Sequence, residues 1–249
     1  MKKEAKLYVT YDMLGDLRRS GPLQWQIKRD RTEDVKDHVV DLIVMIRLLG
    51  PYLPSNVDTL KMIDYALNHD FEEVITGDIT GFEGVTPEEK QRVNAIAMKY
   101  LISEYHDIMN FEGSSTSFEE KKDLEAKIVH MLDKVNSSIP FLKYDFESQV
   151  DMDNEDIIET LRKHPEVLRM RSQGLHLGEI FYLYHLRKVA FTDEELVKYG
   201  ITREEADKIT DTIKSFMASV KEQLENKEEI EADFPKEAMT YRNINKRLG

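Results

Sequence analysis

The stretch NHDFEEVITGD, residues 68–78, sets four carboxylates and one histidine within eleven residues, with no Lys or Arg among them. Its flanks read as a buried helix: Ile63, Ala66 and Leu67 come before, and Val74 and Ile75 lie inside it. On a helix His69 and Glu73, four apart, and Asp70 and Glu73, three apart, project to one side, while Glu72 turns away as a solvated residue. Two carboxylates on a buried face cost several kcal/mol each without a partner, so a cation must sit against them. The cation is either an Arg or Lys from another helix or a divalent metal. Imidazole with carboxylates suits Mn, Fe, Co, Ni or Zn.

Working outward, two further ligand candidates follow, one at the start of an apolar helix, where a histidine by itself reads as a helix-start residue, and one inside an apolar stripe, where a lone acid is otherwise unwelcome. His38 opens the apolar run HVVDLIVMIRLL (38–49), and Asp133 lies inside LEAKIVHMLDKV (124–135). Asp123 and Asp145 compete for the second position, and the apolar flanks of Asp133 decide between them. A second His-Asp pair, His106-Asp107, has Asn110 four past the histidine and no Gly-Asp after it, and reads as a helix face.

Around these residues the chain reads as all-α. It has 249 residues, 11 Gly and 7 Pro, and apolar residues recur at helical spacing in most segments. Helices are expected near 10–19, from Val35 to Gly50-Pro51, from about Asn56 through the acidic stretch, and near 87–110 and 117–138. Beyond Pro140 they are expected near 154–163, 175–189, 192–198 and 202–226. Thr86, Ser117, Thr192 and Thr202 each stand three residues before a Glu, the spacing of a capping box. The acidic segment YDFESQVDMDNED (144–156) suggests a core over 1–150 and a C-terminal helical extension over 151–249 packed on it. The aromatic run of that extension, with Phe181, Tyr182 and Tyr184 beside His176 and His185, reads as packing.

The formal charge of -13 argues against a nucleic-acid polymer as partner but allows a small phosphorylated ligand. With no cysteine, thiolate metal sites, disulfides and cysteine nucleophiles are excluded. The N-terminal residues lack a signal-peptide apolar core, and the longest apolar run is broken by Arg47 and Pro51, so neither export nor a membrane span is expected and the expected location is the cytoplasm.

A histidine on one helix, His-Asp on a second and an Asp well downstream resemble the HD-domain metal-dependent phosphohydrolases. RTEDVKDH (31–38), HDFEEVITGD (69–78) and IVHMLDKVNSSI (128–139) are similar to three segments of their 5′-deoxynucleotidase branch, in the same order. The resemblance implies an HD-domain helical bundle and one divalent transition metal (Mn, Co, Fe, Ni or Zn) held by His38, His69, Asp70 and Asp133. A second, substrate-borne Mg is compatible with it. Glu73 would work with the activated water. Asp78 would meet the nucleotide end or the departing oxygen, and Trp25 and Arg31 would belong to the sugar-binding loop. Lys28, Arg29 and Arg31 would hold the phosphate.

In that branch an Arg-Trp pair precedes the first histidine; here Trp25 lies one residue closer and follows Gln24. The arginine's role therefore falls to Arg19, Lys28 or Arg29, or to none. Two reactions fit a deoxynucleotide substrate: removal of phosphate from a monophosphate, or release of triphosphate from a triphosphate. The competing reading is a non-catalytic metal-containing nucleotide-binding protein, and Glu73 separates the two, because a binder needs no carboxylate beside the water. A homo-oligomer is compatible with either reading.

Overall fold

The computed structural model describes residues 2–19, 32–79, 85–108, 111–146 and 165–239. Among them the chain is helical, and the one β-type contact is an isolated bridge between Arg18 and Asp34. In chain order the helices are α1 (Lys2–Asp12), α2 (Val35–Leu49), α3 (Thr59–Asn68), α4 (Glu73–Thr76), α5 (Pro87–Tyr105), α6 (Phe111–Glu119), α7 (Leu124–Asn136) and α8 (Ile139–Phe146). After residue 164 come α9 (Pro165–Ser172), α10 (Leu177–Lys188), α11 (Asp193–Tyr199), α12 (Arg203–Glu225) and α13 (Lys227–Ala232).

The centre of the protein is α7. Both faces are covered: Ala126, Ile128, Val129, Met131, Leu132 and Val135 are all fully buried, the pattern of a helix surrounded by others. Helices α2, α3 and α10 pack on it. Helix α2 buries Val35, His38, Val39, Leu42, Met45, Ile46 and Leu49, a stripe at helical period in which His38 takes a core position. The same apolar cluster runs on through Tyr182, Leu186 and Phe191 to Ile209, Ile213 and Met217 of α12. At the crossing of α8 and α10 the backbones meet so closely that a β-carbon on Gly178 would stand 2.7 Å from Leu142 Cα.

A second cluster, formed by Leu7, Leu14, Val35, Phe71, Leu101, Tyr105 and Phe111, lies under the acidic stretch. Phe71 is fully buried and stacks between Tyr11, 4.0 Å away, and Phe111, 5.1 Å away. This sandwich anchors the turn that carries the carboxylates.

Several boundaries differ from the sequence reading. The first helix is Lys2–Asp12, followed by a 3-10 turn at Met13–Asp16, in place of one over 10–19. The segment 117–138 is two helices. Ser117 is not a cap but lies within α6, which ends at Glu119; Lys121, at φ 46°, sits in the turn that follows, and Asp123 caps α7 by accepting from Ala126 N–H. Thr192 and Thr202 do form complete capping boxes, and Thr86 accepts from Glu89 N–H. The helix expected near 154–163 lies outside the described residues.

Candidate metal centre

The acidic stretch is not one continuous helix. Helix α3 ends at Asn68, and residues 69–72 form a turn before α4. In that turn Phe71 N–H donates to Asn68 O, Glu73 N–H to Asp70 O and Val74 N–H to Phe71 O. These i to i−3 bonds tighten the backbone so that side chains three apart eclipse, which keeps Asp70 and Glu73 on one side. Gly77, at φ 74°, then turns the chain so that Asp78 comes back toward Arg19; a β-carbon there would be strained.

The turn meets His38 from α2 and Asp133 from α7. His38 Nε2 lies 3.1 Å from Asp133 Oδ1 and 3.8 Å from Asp70 Oδ2. His69 Nε2 lies 3.1 Å from Asp70 Oδ2 and 3.7 Å from Asp133 Oδ1. Donor atoms of His38, His69 and Asp133 all fall within 4.8 Å of one another, and all three residues are buried. Atoms about 2.1 Å from one ion stand roughly 3.0 to 3.5 Å apart, so the spacing suits a shared cation.

The ring nitrogens make the same case. His69 Nδ1–H donates to Ala66 O at 2.8 Å, which leaves Nε2 as the free position of the ring. That Nε2 is buried and has no hydrogen-bond partner, although Asp70 Oδ2 is 3.1 Å away; the oxygens flank the ring nitrogen instead of lying in line with it. Two imidazoles and two carboxylates converging through their unshared electron pairs suit a divalent transition metal of borderline softness.

Without a metal, protons must settle the charges. For His69 burial works against ionisation, but Asp70 and Asp133 outweigh it and hold the pKa well above the ordinary imidazole value. His38 goes the other way, because burial and then the Arg19 charge keep it neutral. Asp70 resists burial through His69 and Arg19, and Asp133 through Lys134 and both histidines, so each carboxyl stays well below the usual range.

Glu73 is buried, its Oε2 has no hydrogen-bond partner, and burial with the charges of Asp70 and Asp78 pushes its pKa up to about 10. Arg19 reaches Asp70 with Nη1 at 3.4 Å and Asp78 with Nε at 3.8 Å. Of the three residues offered for the arginine's role, Arg19 is thus placed at the cluster. Lys28, Arg29, Arg31 and Trp25 fall in 20–31, outside the described residues.

Glu72 is a correction. It is not solvated but buried, and its Oε1 accepts from Asn94 Nδ2 at 2.9 Å. Burial, followed by the Asp70 charge, raises its pKa to about 8. The tightened turn swings it under α5 instead of outward. Asp123, the rejected competitor, is engaged elsewhere, with Lys61 at 2.7 Å and Tyr65 at 2.8 Å. His106 is exposed, and Asp107 pairs with Lys3. His130 packs edge-on against Phe118, which also meets the His69 ring. Sequence reasoning assigned no role to Lys134, whose Nζ lies 2.8 Å from Asp133 Oδ2; its place next to Asp133 in the chain was the available signal.

Residues 12–174 match the HD domain family. The 5′-deoxynucleotidase HDDC2 of Xenopus laevis is 27% identical over 64% of this chain and 81% of its own length. The 5′-deoxynucleotidase YBR242W of Saccharomyces cerevisiae is 32% identical over 52% of this chain and 55% of its own. Among solved structures, a Pyrococcus horikoshii protein superposes with a TM-score of 0.52 at 19% identity, covering 74% of this chain and 97% of that one. No described helix is long and apolar enough to cross a membrane. The family match spans more than half of the residues and contains every member of the polar cluster, so the chain belongs to the HD domain family and is a metal-dependent phosphoric ester hydrolase.

Proposed function

We propose that the protein is a 5′-deoxynucleotidase that removes phosphate from deoxynucleoside monophosphates, with His38, His69, Asp70 and Asp133 as its metal ligands. The observation that carries this is the buried Glu73 carboxyl, with no hydrogen bond to Oε2, set beside four converging donors. The names of the curated relatives support the deoxynucleotide substrate. When bound, a divalent ion of the Mn, Fe, Co, Ni or Zn type supplies Lewis-acid polarisation of a phosphoryl oxygen and acidifies water.

The chain's own groups do the rest. Glu73 is the general base: with the Asp70 and Asp78 charges that raise its proton affinity offset by a bound divalent ion, it stands as a carboxylate, able to take the proton from the attacking water. Water oxygen bonds to phosphorus as the phosphorus–O5′ bond breaks, and the proton taken up by Glu73 passes on to the departing O5′, which leaves as the nucleoside hydroxyl. Asp78, held by Arg19, faces that departing end. Arg19 also braces Asp70 and keeps the turn aligned.

The test is a deoxynucleotide panel with product identification, using protein loaded with Mn or Co. Phosphate should be released from monophosphates, and Glu73→Gln should lose turnover while keeping its metal. Asp70→Ala should lose the metal. Wild-type protein with verified metal that is inert on every deoxynucleoside monophosphate, or that releases triphosphate from triphosphates instead, refutes the proposal.

A further inference from the structure

Among the described residues, two basic side chains ion-pair with the cluster, and they are used differently. Arg19 is enclosed between Asp70 and Asp78 with 15% of its side chain exposed, so two carboxylates already answer its charge. Lys134 pairs with Asp133 and keeps 43% of its side chain exposed. The two oxygens of Asp133 are divided between these tasks: Oδ1 faces both imidazoles, at 3.1 and 3.7 Å, while Oδ2 takes Lys134 at 2.8 Å. An ammonium has three donors. One is spent on Asp133, and the half-exposed side chain leaves the other two at the rim of the centre.

The balance of charge gives those donors a task. With Glu73 neutral, Asp70, Asp78 and Asp133 balance Arg19 and a divalent ion, and Lys134 supplies the net positive charge. With Glu73 ionised, Lys134 is what keeps the set from being net negative. A phosphate ester dianion would be repelled by such a set without it. His185 of α10, whose ring lies against Phe181 and Tyr184, is kept neutral by burial first and by the Lys134 charge next, so it adds no competing cation.

We propose that Lys134 binds the phosphate group of the substrate, held over the metal centre by its ion pair with Asp133. This rests on the phosphoric ester hydrolase reading but not on the deoxynucleotide. The probe is inorganic phosphate, titrated calorimetrically into manganese-saturated wild type, Lys134→Gln and Lys134→Arg, after circular dichroism confirms that each variant is folded. Lys134→Gln should weaken phosphate binding by about tenfold or more, as expected for a lost charge-assisted contact, and Lys134→Arg by less than about threefold.

Unchanged phosphate affinity in metal-saturated Lys134→Gln, with weaker manganese binding, would show that Lys134 only positions Asp133 and would overturn the proposal. Metal-saturated wild type that binds no phosphate overturns it as well. A failed deoxynucleotide panel leaves this result untouched, since phosphate is common to every phosphoric ester, so the two readings fail separately.

Discussion

Replacing Glu72 by Gln should stabilise the metal-free protein at neutral pH, and the structure sets the size of the effect. Glu72 is buried, and its pKa rises from an ordinary 4.5 to about 8. Above pH 4.5 the unfolded chain carries an ionised Glu72 while the folded protein still holds the proton, so stability falls as pH rises. The fall is about 1.4 kcal/mol per pH unit and reaches about 3 kcal/mol at pH 7. It levels off above pH 8, where both states are ionised. Gln keeps an oxygen to accept from Asn94 Nδ2, as Glu72 does at 2.9 Å, and carries no titrating proton. The variant should therefore match wild type below pH 4.5, gain under about 1 kcal/mol at pH 5 and gain about 3 kcal/mol at pH 7. In a chain of this length that is a rise in Tm of about 6 to 12 °C. Urea denaturation followed by circular dichroism, in EDTA at pH 5, 6, 7 and 8, measures it. A stability difference that stays constant from pH 5 to 8 would refute the reasoning, because Glu72 would then ionise equally in both states, as a solvated residue does.

Two further outcomes follow from packing. Gly178→Ala should cost about 1 to 3 kcal/mol, because its β-carbon would press on the Leu142 backbone where α8 crosses α10; no loss in urea denaturation would mean that the helices have room to part. Lys127 is buried, 2.7 Å from Glu195 Oε1 and 5.4 Å over the Phe191 ring. Lys127→Met should cost about 3 kcal/mol by leaving Glu195 short of its partner, and adding Glu195→Gln should recover part of it. Additive losses in that double-mutant cycle would show that the two do not interact.

Much of the site could be read from the chain because its chemistry is expensive. An aspartate in the apolar run of α7 is out of place unless something pairs with it, so Asp133 stands out before any coordinates are known. His38 reads alone as a helix-start residue and stands out only together with His69-Asp70; its place in the buried stripe of α2 is seen only in the fold. Glu72 was misread for a local reason. A continuous helix would send it outward, but the i to i−3 bonds of residues 69–72 rotate it inward, and that turn is pinned by Phe71 stacking between Tyr11 and Phe111, from segments distant in the chain. The broken helix at 117–123 has a similar origin, since the carbonyl of Lys121 accepts from Lys198 and Tyr199 of α11.

By itself the sequence determined the residue types, their spacing and the helical class, because periodicity, caps and uncompensated polar residues are local properties. Tertiary structure alone decided which charges meet. Arg19 between Asp70 and Asp78, Lys134 on the outer oxygen of Asp133, and Glu72 beneath α5 all depend on how the helices cross, and a few ångströms of displacement there decides whether a carboxylate is paired, protonated or free.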